Sequence, residues 1–464
     1  MLFTSPYHAL RFPEHVSVPE FVLRHTSDEV DDKPLLYLSP HTDRTEAKSI
    51  SLGEIRTQSR AFATALLSQS KGPWKKGDVV FFYSENQHDY LLVVLGVMLA
   101  GGIPALVNPQ CRGDELKNAL NLVSPKILIA SKATLPKAKD SVREWQRTVG
   151  RKVDVYVFDE THEQSYHHLV HLGRELEHQG NRMVDDVHIN PVHDPAMYCF
   201  SSGTSGRPKA VVLSHHNLVA NTIQMTVALG GRVNKPLFDE GWYDQPHAPL
   251  QVGKDQFHYS ILPQFHCYGM ITSLINLHTA TPSVIMPRFY PEQFFEVVQK
   301  FRVTFAFVVP PILLALAQSH LVNKYDISSI RSFASGAAYL SKELCKMVHE
   351  MHGIQVTDGY GLTEFSPIVS LQTEKDLETK QLNVGRLVPN TEAKVMCLET
   401  KQPLSAGERG ELWVRGPQMM LGYLHNDEAN ASAFDPNPTD PERFFKTGDI
   451  ASIDEQGACC SLYD

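Results

Sequence analysis

Short apolar runs alternate with helix-length segments through residues 76–130, and this order restricts the fold more than any other feature of the chain. Residues 76–83 (KGDVVFFY) read as a strand, 86–100 as an apolar helix and 104–107 (PALV) as a strand; 114–122 read as a helix and 125–130 as a further strand. Such alternation predicts a parallel sheet covered by helices. A second round follows: strand 283–286, helix 291–301, strand 304–309, helix 312–320 after Pro310-Pro311, and strand 329–334. From about Asn383 the pattern changes. Short β-like runs at 392–397 and 410–414 alternate with turn-rich pieces such as 405–410 (SAGERG), which predicts a smaller β unit. The expected architecture is therefore α/β, with two helix-covered, mainly parallel sheets and a small β-rich subdomain. The divisions fall at 1–225, 226–378 and 379–464, with the N-terminal segment available to pack on the second unit.

The 464 residues suffice for two or three packed units. Hydrophobic content of 42% and charged content of 20% describe a globular chain, and a net charge of −9 argues against a nucleic-acid partner. Seven scattered cysteines form neither a disulfide framework nor a zinc spacing, so a reducing compartment is expected. The N-terminus lacks the apolar core of a signal peptide. Residues 90–107 carry no charge over eighteen positions, the lower edge of a membrane span. Gly101-Gly102 and Pro104 interrupt them, however, so a buried helix feeding a buried strand is expected instead. His167 and His171 stand at i and i+4 but lack the glutamate of H-E-x-x-H, which reads as a solvated helix face.

Chemistry concentrates in residues 198–217, YCFSSGTSGRPKAVVLSHHN. Ser201, Ser202, Gly203, Thr204, Ser205, Gly206 and Lys209 bring together hydroxyls, glycines and a cation between two apolar runs. Glycine permits positive φ and removes the Cβ that would hold a ligand away. Together these groups suit a polyanion. The G-x-x-G-x-x-K spacing is not that of a nucleotide-triphosphatase P-loop, which needs G-x-x-x-x-G-K-[ST].

Three more segments join it. Residues 358–364 (DGYGLTE) set glycines beside an aromatic, a hydroxyl and a carboxylate; 446–449 read KTGD; and 262–269 (LPQFHCYG) place His266 and Tyr268 in an apolar context. As an ordered set these motifs resemble the adenylate-forming superfamily, in particular acyl-CoA synthetases related to 4-coumarate:CoA ligase and luciferase. Further similar stretches are 309–311 (VPP), 335–338 (SGAA), 384–389 (VGRLVP) and 410–416 (GELWVRG) followed by Gly422-Tyr423.

The resemblance implies the large N-terminal domain of that superfamily and a two-step reaction. A carboxylate attacks the α-phosphate of Mg·ATP, giving an acyl-adenylate and pyrophosphate, and the thiol of coenzyme A then displaces AMP. It implies that the 201–209 loop, with Ser205 where threonine is more usual, holds the β- and γ-phosphates. Tyr360 is implied to pack on adenine in a slot lined by Ser335, Gly336 and Ala337, with Asp358, Gly359 and Gly361 also in the ATP site. Thr363 would contact the α-phosphate, Glu364 would ligate magnesium and Asp449 would bind the ribose hydroxyls. His266 and Tyr268 would border the acyl and thiol-entry pocket, with Arg288 meeting coenzyme A phosphate. Lys209, Thr363, Glu364 and His266 are the implied catalytic group. Asp358 stands where glutamine is more usual.

Members of the family continue past the TGD motif into a hinge and a small C-terminal domain, whereas this sequence reads IDEQG at 453–457 and then ACCSLYD. The expectation is an N-terminal domain that binds ATP and adenylates poorly, in the cytoplasm, with no Ser-Lys-Leu-type address. The partners expected are a small carboxylic acid, ATP and coenzyme A. The alternatives are a non-catalytic ATP- or acyl-binding remnant and an adenylation domain loading a separate carrier protein.

Overall fold

A computed structural model describes residues 1–23, 31–38, 47–68, 73–158, 162–181, 183–201, 209–230, 256–377, 383–435 and 443–461. Three sheets organise them. The first has seven strands in the order Gly422–Tyr423, Lys209–Ser214, Pro195–Ser201, Ile103–Leu106, Val79–Tyr83, Ile127–Ala130, Asp154–Val157. From Pro195–Ser201 to Asp154–Val157 every neighbour is parallel. Lys209–Ser214 reverses this by pairing antiparallel to Pro195–Ser201, and Gly422–Tyr423 pairs antiparallel to it in turn.

The second sheet has nine strands, with a parallel centre running from Gln355–Gly361 through Ser332–Ser335, Phe305–Val308 and His258–Ser260 to Ser283–Ile285 and Pro34–Leu38. Antiparallel strands close both edges: Ile368–Leu371 and Arg386–Leu387 at one, Lys48–Ser51 at the other. The N-terminal segment thus supplies two strands to this sheet. The third sheet is antiparallel and is built around Glu392–Met396, Gly410–Arg415 and Phe444–Ile453, with Phe3–Thr4 on its edge.

Residues 90–107 form the buried helix Tyr90–Leu99 and the strand Ile103–Leu106, and no helix among the described residues is long and apolar enough to cross a membrane. The helix starts at Tyr90 rather than at Asn86 because the Asn86 side chain is engaged elsewhere. Its Nδ2 donates to Leu262 O (2.9 Å) and Met286 O (3.0 Å), and its Oδ1 accepts from Gln264 N (2.7 Å). The helix read at 312–320 instead spans Pro310–Ala317. Its two prolines occupy the first turn, where no backbone N–H is required. On the helix His167–His178, His171 is exposed as read, whereas His167 turns in to lie 3.8 Å from Asp89.

The helices His215–Ala228 and Cys267–His278 are buried on nearly all sides and pack on each other. Polar side chains on the first tie it to neighbouring segments. Asn217 Nδ2 donates to Pro417 O (2.8 Å), Asn221 Nδ2 to Ile368 O (3.1 Å), and Gln224 Nε2 to Pro389 O (2.6 Å). These bonds satisfy groups whose unpaired burial would cost about 1–3 kcal/mol each, and they fix the register between the segments that carry the site.

Candidate active site

The polyanion loop leaves the first sheet at Ser201 and returns at Lys209, which are register partners on the antiparallel hairpin. Residues 202–208, and with them Ser202, Gly203, Thr204, Ser205 and Gly206, lie outside the described residues. Its two anchors carry the chemistry that can be described. Among the described residues Ser201 Oγ is buried without a partner. Lys209 is half-buried, and among the described residues no carboxylate pairs with its ammonium, which sits 4.8 Å from the Tyr423 ring centroid. An orphaned hydroxyl and an uncompensated cation are the features an anionic ligand would satisfy.

Facing them, Gln355–Gly361 runs parallel to Ser332–Ser335, with Asp358 level with Ser335. Ser335 Oγ is a second buried hydroxyl with no partner. Asp358 is also buried, and its Oδ1 accepts only from Gly359 N (3.0 Å). Burial raises its carboxyl to about 7. Ala337 adopts φ 69°, a left-handed conformation unusual for a residue with a Cβ, and it turns the chain at the mouth of this slot.

Tyr360 follows on the same strand and is buried. Gly361 must lack a side chain, since a Cβ there would lie 2.4 Å from Pro367 O. The Tyr360 hydroxyl donates to Asp449 Oδ2 (2.6 Å), joining the second sheet to the third. Asp449 sits after Gly448, whose φ of 77° turns the backbone, and its N–H donates to Thr447 Oγ1 (3.0 Å). Burial first, and then the Asp449 charge, hold the Tyr360 phenol well above its ordinary range.

A short 3₁₀ turn, Thr363–Phe365, carries both Thr363 and Glu364 in buried positions. Glu364 Oε1 accepts from the Tyr423 hydroxyl (2.8 Å), and its backbone O accepts from Met420 N (2.8 Å). Among the described residues nothing bonds Oε2. Tyr423 therefore stands between Lys209 and Glu364, a link the sequence reading did not assign. Its only trace there was the Gly422-Tyr423 pair after GELWVRG, with no partner to give it a role.

Beyond the slot lies a cavity of about 560 Å³, bordered by His266, Tyr268, Ala337, Arg288, Val309 and Ile312. His266 precedes the helix Cys267–His278, and its Nδ1 accepts from Tyr268 N (3.2 Å), which leaves Nε2 as the other ring nitrogen. The imidazole is exposed toward the cavity, and the partial loss of bulk water there lowers its pKa. Tyr268 Oη donates to Ala334 O (3.2 Å), and its ring packs against Gly336. Arg288 is largely exposed at the rim, 3.7 Å from Glu85. Two groupings thus result. Ser335, Asp358, Tyr360 and Asp449 form one; Lys209, Tyr423 and Glu364 form the other; and His266, Tyr268 and Arg288 border the adjoining cavity.

The model of the AMP-binding enzyme family matches residues 23–424. The chain belongs to that family. Among its relatives, a probable 4-coumarate–CoA ligase 1 of Dictyostelium discoideum is 32% identical, the match covering 98% of this chain and 78% of the relative. The 4-coumarate–CoA ligase 3 of Arabidopsis thaliana is 29% identical, covering 98% and 74%. In three dimensions this AMP-binding chain is similar to a long-chain-fatty-acid-CoA ligase from Archaeoglobus fulgidus, with TM-score 0.81, 22% identity and coverage of 99% and 86%. It is also similar to ATP-bound MatB from Rhodopseudomonas palustris, with TM-score 0.76, 23% identity and coverage of 96% and 78%. At these identities the structures speak for the fold, which is the mixed α/β architecture of acyl-CoA ligases.

Proposed function

We propose that the chain activates a carboxylic acid with ATP and transfers the acyl group to coenzyme A. The observation that carries this reading is the convergence of Lys209, with no carboxylate partner among the described residues, a buried Glu364 and the Tyr360–Asp449 pair beside an apolar cavity. In the first step a carboxylate oxygen attacks the α-phosphorus and pyrophosphate leaves. In the second, the thiol sulfur attacks the acyl carbon and AMP leaves.

Two anions must meet in the first step, so preorganised positive groups provide most of the catalysis. Lys209 and the 201–209 loop hold the β- and γ-phosphates. Thr363 meets the α-phosphate, and Asp449 accepts from the ribose hydroxyls with the lone pairs that Tyr360 leaves open, Oδ2 already accepting from that phenol. Ser335, Gly336, Ala337, Asp358, Gly359, Tyr360 and Gly361 form the adenine slot. Magnesium is ordinarily held by one or two carboxylates plus substrate phosphates, which suits the vacant Oε2 of the buried Glu364; there it would neutralise phosphate charge. His266 and Tyr268 border the meeting point of acyl carbon and thiol. Arg288 meets coenzyme A phosphate at the rim.

The cavity volume lies in the range of small-molecule sites. Its walls, with Phe265, Phe289, Val309 and Ile312, suit an acid with an aromatic or aliphatic tail rather than a second charge. The test is ATP–pyrophosphate exchange over a panel of aryl-propenoic and medium- to long-chain acids, followed by detection of the CoA thioester. Acid-dependent exchange and thioester formation are expected. ATP binding with no exchange for any acid overturns the catalytic reading in favour of a binding remnant.

A further inference from the structure

We propose that Tyr423 is a positioning residue that sets Glu364 for the divalent cation and Lys209 for the phosphates, acting through two different parts of one side chain. The inference rests on the activation reading above. Its hydroxyl donates to Glu364 Oε1 at 2.8 Å. One lone-pair site of the carboxylate is thereby occupied and its plane restrained, so that Oε2 would be presented to a cation in one orientation. The face of its ring receives the Lys209 ammonium, 4.8 Å from the centroid. A cation held over an aromatic face loses little of its charge, so the ammonium stays available to phosphate.

The placement of Tyr423 is itself built. Gly422 and Tyr423 pair antiparallel with Val212 and Val211, on the strand that Lys209 begins. The Tyr423 backbone is held on its other side by Asn430, whose Oδ1 accepts from Tyr423 N (2.7 Å) and whose Nδ2 donates to Tyr423 O (3.0 Å). Gly422 allows this approach, since a Cβ there would lie 2.9 Å from Asn430 Oδ1. Met420 N donates to the Glu364 backbone oxygen at 2.8 Å, so the segment also fixes the acid's main chain. A segment more than 200 residues from Lys209 in sequence thus aligns both groups.

The two halves of the side chain separate experimentally. Tyr423→Phe removes the hydroxyl and keeps the ring; Tyr423→Leu removes both. ATP affinity is measured by calorimetry in excess chelator and in saturating magnesium, and the ratio of the two dissociation constants reports the cation's coupling to the nucleotide. Loss of a group that orients a metal ligand typically costs about 10–100-fold in metal affinity. For Tyr423→Phe the ratio is expected to fall about tenfold, with metal-free ATP affinity unchanged. Tyr423→Leu is expected to weaken metal-free ATP binding as well, because Lys209 loses its seat. In a Glu364→Gln background, Tyr423→Phe is expected to add nothing to the ratio. Matching chemical denaturation midpoints for the wild type and Tyr423→Phe confirm that both are folded, and Asn430→Ala provides a second route to loosening Tyr423. A folded Tyr423→Phe whose ratio stays within twofold of wild type overturns this inference alone. A wild-type chain that binds no Mg·ATP overturns the activation reading and this inference with it.

Discussion

The Tyr360 hydroxyl donates a 2.6 Å hydrogen bond to Asp449, 89 residues further along the chain, and this bond closes the gap between the central parallel sheet and the antiparallel sheet. The acceptor is the carboxylate proposed to engage an adenosine ribose, and the tyrosine would hold it in place for that contact. Asp449→Ala is expected to raise the KM for ATP about 10–100-fold, from the loss of charged hydrogen bonds of about 1.5–3 kcal/mol. Tyr360→Phe, which keeps the ring, is expected to change KM by less than Asp449→Ala does. Steady-state kinetics with ATP varied checks both, and equal losses in the two variants contradict the division of roles.

Lys209 has no carboxylate partner among the described residues, so in the proposed site its charge would be available to the phosphates. Lys209→Met is expected to lower ATP–pyrophosphate exchange by roughly 10²–10³, the usual loss for one transition-state donor. The effect is expected in kcat rather than in thermal stability, because no ion pair is broken. A matched melting curve and an exchange assay distinguish the two.

Asp358 gives a pH dependence of stability. Its carboxyl is raised to about 7 by burial, well above the value of about 3.9 in an unfolded chain. The native state therefore retains a proton that the unfolded state releases. The group's favourable contribution is complete below about pH 4 and is lost as pH rises through about 7. Asp358→Asn is expected to remove this loss, raising stability at pH 8 relative to wild type by on the order of 4 kcal/mol more than at pH 4. Urea unfolding at the two pH values measures the difference, and an equal effect at both contradicts it.

Asn86 bonds three backbone groups from two segments that follow strands of the nine-stranded sheet, Leu262 O, Met286 O and Gln264 N. Asn86→Ala leaves these groups buried without partners and is expected to destabilise the chain by about 1–3 kcal/mol. Chemical denaturation measures the loss. Asn86→Asp, which keeps one acceptor but loses both donated bonds, is expected to recover little of it.

The fold was legible where local pattern and burial agree. Apolar runs such as 79–83 and 305–308 became central parallel strands, and the intervening periodic segments became helices. Boundaries slipped where a side chain had a tertiary task, as at Asn86. The reversal of the Lys209–Ser214 strand was not read, although the short connection after Ser201 leaves too little chain for the crossover that a parallel neighbour needs. Much of the candidate site was also legible, since its motifs place hydroxyls, glycines and charges at fixed offsets. Tyr423 was not, because a lone tyrosine after glycine carries no partner in its own neighbourhood.

The sequence by itself determined the chemical inventory: which residues could bind a polyanion, which could ligate a cation, and which segments had to be strands or helices. Those properties depend on side-chain chemistry and short-range periodicity. Only the tertiary structure decided that Tyr423 links Lys209 to Glu364, that Tyr360 meets Asp449, and that Ser335 and Asp358 share one buried slot. Each of those pairings joins residues distant in sequence, and it exists because burying three sheets against one another fixes their registers together.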